Sequence, residues 1–172
     1  ISQAEFRASL LVKASEKHKR IVLPEGNEPR TIEAAILAYE RKIAIPVLLG
    51  NRKEIEEIAR AKNLTIPEGL EILEVTEESG KKYVPTLVEL RKAKGMTEEL
   101  ATNLLKDSVW LGTMMLKMGE VDGLVSGAVH STADTVRPAL QIIKTAPGVK
   151  SISSVFFMCL PSETLVYGDC AI

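Results

Sequence analysis

The sequence is short of the residues that build metal centres and disulfides. Its 172 residues include two cysteines and two histidines. Cys159 and Cys170 lack CxxC spacing, and no Cys/His cluster offers the ligands of a zinc site. We therefore expect no metal and no tightly bound cofactor. So few thiols are typical of a reducing compartment, and we expect a cytoplasmic protein.

The chain also lacks a dominant charge and a long apolar run. Its 22 Lys and Arg are balanced by 23 Asp and Glu, for a net charge of −1. Proteins that bind nucleic acid or acidic membranes by bulk electrostatics are clearly basic, and a membrane span needs about 20 apolar residues. We expect neither nucleic acid nor membrane as a partner. No Walker motif and no GxGxxG is present, so no nucleotide fingerprint is found.

Short apolar runs alternate with helical patterns through the first part of the chain. The segments "RIVLPEG", "IPVLLGN" and "LEILEV" read as buried strands, and amphipathic helical patterns separate them. This alternation predicts βαβ units, an α/β fold and a mostly parallel sheet. Residues 80–118 are helical throughout, with breaks expected near Gly95 and Asp107. Trp110 and the methionines at 114, 115 and 118 are expected to form a helix-packing face.

The least ordinary stretch is "SGAVHSTADTVRPALQIIKTAPG", residues 126–148. A strand run ends at Val125, and Gly127 allows a tight turn or a close approach to a ligand. Thr135 is expected to cap the next helix, with Pro138 in its first turn, and Ser131 is a weaker cap. The stretch therefore combines a strand end, a loop and a helix N-terminus. Ligands of open α/β sheets bind at the carboxyl ends of strands, and the free amides and partial positive charge of a helix N-terminus favour anions.

Several motifs closely resemble those of the phosphate acetyltransferase (phosphotransacetylase) family. They are "IVLPEGNEPRTIEAA", "VELRKAKGMT", "VDGLVSGAVHSTADTVRPALQIIKTAPG", "SSVFFM" and "YGDCAI". The resemblance implies a fold like that of the isocitrate and isopropylmalate dehydrogenases, a three-layer α/β/α architecture with two domains and a cleft. We expect residues 1–148 to form most of the first domain and residues 149–172 to open the second. The chain then reads as a truncated piece of a longer polypeptide.

The activity implied by the resemblance is acetyl transfer between coenzyme A and inorganic phosphate. The substrates would be acetyl-CoA, phosphate, acetyl phosphate and CoA, and the full-length protein would be a homodimer. Two alternatives stay open: a phosphate butyryltransferase, and the non-catalytic acetyl-CoA-sensing domain of a malic enzyme. The family's Ser-Arg pair and catalytic aspartate lie in a later half that has no matching positions here. The catalytic residues are therefore unknown, and we expect the 172-residue chain alone to be inactive.

Five residues are predicted to contact substrate. Arg30, Arg91 and Arg137 match positions that the family uses around its cleft, and permanent cations suit a reaction among polyanions. Ser126 and the backbone at Gly127 are further candidates. His130 invites a role as a general base, but a loop histidine that hydrogen-bonds locally is the favoured interpretation.

Overall fold

A computed structural model describes all residues from 1 to 172, and the chain divides into two compact units. One unit is Lys19–Lys144, and the other joins Ile1–His18 to Thr145–Ile172. The elements in chain order are α1 (Gln3–Lys17), β1 (Arg20–Leu23), α2 (Pro29–Glu40), β2 (Ile45–Leu49), α3 (Arg52–Ala61), β3 (Glu71–Leu73), α4 (Glu77–Gly80), α5 (Val84–Arg91), α6 (Glu98–Leu104), α7 (Ser108–Lys117), β4 (Gly123–Leu124), α8 (Thr132–Ile142), β5 (Val155–Cys159) and β6 (Thr164–Gly168).

The larger unit is built on a four-stranded sheet in the order β3-β2-β1-β4. Every neighbouring pair is parallel, with Val22 of β1 opposite Val47 of β2 and Leu124 of β4. The predicted α/β fold with a mostly parallel sheet is confirmed. Because all four strands run the same way, their carboxyl ends meet at one edge of the sheet.

Helices cover both faces of this sheet. Val47 and Leu49 of β2 pack into one buried cluster with residues of α5, α6, α7 and α8. Leu48, which points to the opposite face as strand geometry requires, packs with Ile32 of α2 and Ile55 of α3. Two apolar layers therefore hold the strands in place and fix the loops at their ends.

The helical stretch between β3 and β4 follows the sequence closely. Helix α5 passes into a 3₁₀ turn over Lys92–Lys94, which ends at Gly95 with φ of +83°. Asp107 caps α7 by accepting hydrogen bonds from the first backbone amides of that helix. Trp110, Met114 and Met115 are buried, so the predicted packing face is confirmed for these three, whereas Met118 is exposed.

Helix α8 begins earlier than predicted. Ser131, not Thr135, is its N-cap and accepts a hydrogen bond from the Asp134 amide at 3.1 Å. Pro138 therefore lies inside the helix, not in its first turn, and is buried. Because proline has no N–H, Pro138 cannot donate the helical hydrogen bond to the carbonyl oxygen four residues before it. Burial of Pro138 in the core compensates for that loss.

The smaller unit contains α1 and an antiparallel hairpin. Ser2 and Glu5 form a capping box at the start of α1. Strands β5 and β6 pair antiparallel, with Phe156 opposite Tyr167. The rings of Phe6 and Phe157 lie 5.2 Å apart. None of the helices in the chain combines the length and apolar composition that crossing a bilayer requires.

Candidate functional site

The candidate site lies at the carboxyl ends of β1 and β4. The segment "PEG" follows β1 and brings Glu25 to this edge. The segment from 125 to 131, called the β4–α8 loop below, follows β4 and ends at the Ser131 cap. Because β1 and β4 are adjacent and parallel, two segments about a hundred residues apart in sequence meet here.

The Glu25 carboxylate is the centre of this arrangement. It is 3% exposed and accepts four backbone hydrogen bonds from consecutive residues of the β4–α8 loop. Gly127 and Ala128 donate to Oε1 at 2.8 and 2.9 Å, and Val129 and His130 donate to Oε2 at 2.7 and 2.8 Å. Gly127 has φ of +123°, a left-handed conformation that favours glycine. The loop thus forms a concave row of amides around one buried anion.

The same carboxylate also forms a hydrogen bond with the imidazole of His130, whose Nδ1 lies 2.9 Å from Oε2. An ionised carboxylate only accepts hydrogen bonds, so Nδ1 is the donor. The geometry supports a structural role for His130, but the expected local hydrogen bond is wrong, because the partner lies 105 positions earlier in the sequence.

These contacts decide the protonation state of Glu25. Burial alone raises the pKa of the Glu25 carboxyl, because water no longer solvates the charged form. The hydrogen bonds from the Val129 amide, the His130 ring, and the His130 and Ala128 amides outweigh burial and lower this pKa to about 2. Glu25 is thus ionised at neutral pH and accepts hydrogen bonds from four backbone amides and one imidazole nitrogen.

The loop amides are therefore not the unoccupied donors that the sequence pattern indicated. The amide of Gly127 already donates to Glu25, and the hydroxyl of Ser131 caps α8. Sequence reasoning missed Glu25, because nothing local shows where its carboxylate goes. The available signal was an acidic residue two positions after the end of β1, at the edge of the sheet where the Gly127 loop was also expected.

Arg30 lies beside this loop, in the first turn of α2. Its Nε donates to Glu28 at 2.7 Å, and one terminal nitrogen donates to the carbonyl oxygen of Ala128 at 3.0 Å. The hydrogen bond from Arg30 is the main cause of the lowered pKa of Glu28. The Arg30 side chain is still 74% exposed. The guanidinium is thus oriented by two partners while its outer face stays open to solvent.

A pocket of about 240 Å³ lies between Arg30 and the β4–α8 loop. Ser126 and Ala128 line it on the loop side, and Glu25, Thr31 and apolar side chains such as Leu23 and Ala34 line the remainder. The Ser126 hydroxyl oxygen is buried and has no hydrogen-bond partner. Because buried polar groups are nearly always paired, this hydroxyl is available to a ligand.

Arg137 and Arg91 do not line this pocket. Arg137 lies on α8, is 58% exposed, and contacts only Asp134 of its own helix at 3.4 Å. Arg91 ends α5, and its Nε is buried without a partner. The structure therefore brings together Arg30, Ser126 and Gly127, while Arg91 and Arg137 lie on two other helices.

Three larger pockets lie elsewhere in the unit, with volumes of about 740, 790 and 450 Å³. None of them includes any of the five predicted residues. The first is rimmed by several carboxylates, including Glu77, Glu89 and Glu98, which repel a phosphorylated ligand. Size alone therefore does not select the candidate site. No group of three or more His, Cys, Asp or Glu side chains is arranged to hold a metal ion.

The chain is similar to known proteins over nearly its whole length. The family described as phosphate acetyl/butaryl transferase matches residues 5–172. A phosphate acetyltransferase of Deinococcus radiodurans is 59% identical over 97% of this chain and 24% of its own length. One from Escherichia coli is 57% identical over 100% of this chain and 24% of its own length.

Solved structures give the same result. A phosphotransacetylase from Streptococcus pyogenes matches with a TM-score of 0.92 and 39% identity, over 100% of this chain and 53% of its own. The EutD phosphotransacetylase from Staphylococcus aureus matches with a TM-score of 0.89 and 43% identity, over 100% of this chain and 52% of its own. The chain thus spans about a quarter of the length of the curated relatives it matches.

Proposed function

The chain belongs to the phosphate acetyl/butaryl transferase family, and we propose that in the full-length protein it helps to move an acetyl group between coenzyme A and inorganic phosphate. The curated relatives named above are phosphate acetyltransferases and favour acetyl over butyryl transfer. The observation that carries the proposal is the pocket between Arg30 and Ser126. It combines an oriented guanidinium with an unpaired buried hydroxyl.

The reaction needs these two groups for a physical reason. In acetyl-CoA plus phosphate, a phosphate oxygen attacks the thioester carbonyl carbon and forms the new C–O bond. The C–S bond breaks, and the released thiolate takes up the proton that hydrogen phosphate loses, which gives acetyl phosphate and CoA. Both phosphate and acetyl phosphate carry negative charge, and a guanidinium binds phosphoryl oxygens with two parallel hydrogen bonds. A fixed cation and a fixed hydroxyl hold the phosphoryl group in position, which is a large part of catalysis in such reactions.

The two remaining arginines suit the other substrate. CoA is a polyanion, with a pyrophosphate and a ribose phosphate. Arg137 has an exposed guanidinium held only by Asp134 of its own helix, and the Nε of Arg91 is unpaired. In this proposal Arg91 and Arg137 bind phosphates of CoA, and Arg30, Ser126 and the Gly127 backbone surround the acyl phosphate.

Further features of the full-length protein belong to this proposal. Groups that deprotonate the CoA thiol and stabilise the carbonyl oxygen come from outside these 172 residues. Residues 149–172 open a second domain of a fold like that of the isocitrate and isopropylmalate dehydrogenases. The full-length enzyme is a cytoplasmic homodimer that needs no tightly bound cofactor, and the chain alone is inactive.

The test is a thioester assay on the full-length protein. Acetyl phosphate and CoA are mixed with it, and thioester absorbance is followed. A steady rise is expected, together with a slower rise when butyryl phosphate replaces acetyl phosphate. No rise with either donor, combined with retained binding of acetyl-CoA, would instead assign the chain to an acetyl-CoA-sensing domain.

A further inference from the structure

We propose that Glu25 is a positioning residue, which holds the β4–α8 loop so that Arg30 and Ser126 face the same pocket. This inference rests on the proposed function for its kinetic readout. It is carried by the four amide hydrogen bonds and the histidine hydrogen bond that Glu25 accepts.

Glu25 does not act on substrate directly. Glu25 forms part of the pocket wall, but it is 3% exposed, and both carboxylate oxygens accept hydrogen bonds from loop donors. Each oxygen accepts two backbone amides, so the carboxylate spans four consecutive residues of the loop. A single side chain therefore fixes the conformation of the loop from Gly127 to His130, immediately before the cap of α8 at Ser131.

The connection to Arg30 runs through one peptide. The amide of Ala128 donates to Glu25, and the carbonyl of Ala128 accepts from Arg30. If the loop moves, this carbonyl moves, and the guanidinium loses the partner that orients it from the loop side. Ser126 directly precedes Gly127, the first residue whose amide donates to Glu25. The same contact therefore fixes the position of the Ser126 hydroxyl.

The carboxylate is the group that this role requires. A glutamine has one acceptor oxygen and one NH₂ group. Two of the loop amides would therefore face the NH₂ group, which is itself a donor and cannot accept their hydrogen bonds. An aspartate keeps both acceptors and the charge, but it is one methylene shorter and cannot reach all four amides without movement of the loop or of β1. Glu25→Gln and Glu25→Asp should therefore impair the site to different degrees.

The decisive experiment is a double-mutant cycle in the full-length protein. We measure kcat and KM with acetyl phosphate and CoA for wild type, Glu25→Gln, Arg30→Gln and the double variant. Because the two residues act through one peptide, their effects should be strongly non-additive. Each single variant is expected to lower kcat/KM about thirtyfold, and the double variant is expected to be within about threefold of the worse single.

Glu25→Asp serves as the second variant in case Glu25→Gln does not fold. It is expected to lower kcat/KM about fivefold and to show the same non-additivity with Arg30→Gln. Glu57→Gln is the matched control, because Glu57 is exposed on α3 and makes no side-chain hydrogen bond; its kinetics should equal wild type. Fold changes that multiply in the double variant, or unchanged kcat/KM in the Glu25 variants, would overturn the inference.

A readout without turnover separates this inference from the proposed function. Amide hydrogen exchange in the full-length protein should be slow at residues 127–130 in wild type. It should be at least about tenfold faster there in Glu25→Asp, with unchanged exchange in β2. An inactive wild type that shows this change contradicts the proposed function only. Unchanged exchange at 127–130 contradicts the positioning role, whatever the activity.

Discussion

The carbonyl oxygen of Ala128 accepts a hydrogen bond from the Arg30 guanidinium at 3.0 Å. This contact joins the start of α2 to the loop before α8, across 98 positions of sequence. It places a permanent cation next to a pocket whose other wall carries an unpaired hydroxyl.

The stability of the full-length protein should depend on Glu25 in a pH-dependent way. Its pKa falls from an ordinary 4.5 to about 2 on folding, so the unfolded state binds more protons in the interval between these values. The contribution is fully present above the unfolded pKa and is lost as pH falls through the folded one. The stability difference between wild type and Glu25→Gln should shrink by about 3 kcal/mol from pH 6 to pH 2.

Urea unfolding at a series of pH values measures this difference, and Glu57→Gln is again the control. A difference between wild type and Glu25→Gln that stays constant over the interval would show that the carboxylate is not preferentially ionised in the folded loop.

Arg137→Gln should lower activity without affecting stability. The guanidinium is exposed and contacts only Asp134 on the same helix, and exposed ion pairs contribute about 0–1 kcal/mol. We expect kcat/KM of the full-length enzyme to fall at least about tenfold, or about 1.4 kcal/mol of transition-state binding. The melting temperature should remain within error of wild type.

Arg52→Gln is the matched control for Arg137. It removes another half-exposed arginine from an ion pair within one helix, here with Glu56 at 3.7 Å. Equal kinetics for Arg137→Gln and Arg52→Gln would remove Arg137 from the site.

Ser126→Ala should reduce activity while leaving stability equal or slightly higher. The hydroxyl is buried without a partner, so its removal relieves an unsatisfied polar group in the free protein. A hydrogen bond to a charged ligand contributes about 1.5–3 kcal/mol, so KM for phosphate should rise at least about tenfold. Steady-state kinetics and thermal unfolding measure the two effects.

Ser108→Ala is the control for Ser126, because it removes a partly buried hydroxyl from the first residue of α7. A lower melting temperature for Ser126→Ala, with unchanged KM, would mean that the hydroxyl has a structural role only.

Gly26→Ala should strongly destabilise the unit. The Gly26 amide donates to the Leu49 carbonyl at 3.0 Å, and an added Cβ would collide with that same carbonyl. Either the hydrogen bond breaks or the segment carrying Glu25 shifts, so we expect a loss of at least about 2 kcal/mol in the free energy of unfolding.

Gly168→Ala is the comparison, since nothing lies within 4 Å of a Cβ added there. Its free energy of unfolding should be close to that of wild type. Similar losses for the two variants would contradict the close approach of Gly26 to β2.

Local patterns in the sequence were sufficient for the architecture. The alternation of apolar runs with helical spacing predicted the parallel sheet. A strand such as β2 is apolar throughout, and it buries side chains on both faces only when helices cover both faces of its sheet, as they do in parallel sheets. The packing of Trp110 followed equally from helical spacing. The start of α8 was predicted wrongly, because Ser131 and Thr135 are both good caps and the prediction placed Pro138 in the first turn, whereas it lies inside the helix.

Local patterns were not sufficient for the site. Arg30, Ser126 and Gly127 were selected from the sequence with help from the family resemblance. Nothing local indicated that Glu25 would occupy the amides of the β4–α8 loop, since its partners lie 102 to 105 positions away. Hydrogen bonds of this kind depend on which strands become neighbours in the sheet. The periodicity of apolar residues along the sequence does not show which strands those are.

A crystal structure of the full-length protein with acetyl phosphate, or with inorganic phosphate, tests the central claim most directly. The account predicts phosphoryl oxygens within hydrogen-bond distance of the Arg30 guanidinium and the Ser126 hydroxyl, with Glu25 still bound to the amides of residues 127–130. A phosphoryl group bound elsewhere in the protein, with the pocket between Arg30 and Ser126 empty, would contradict it.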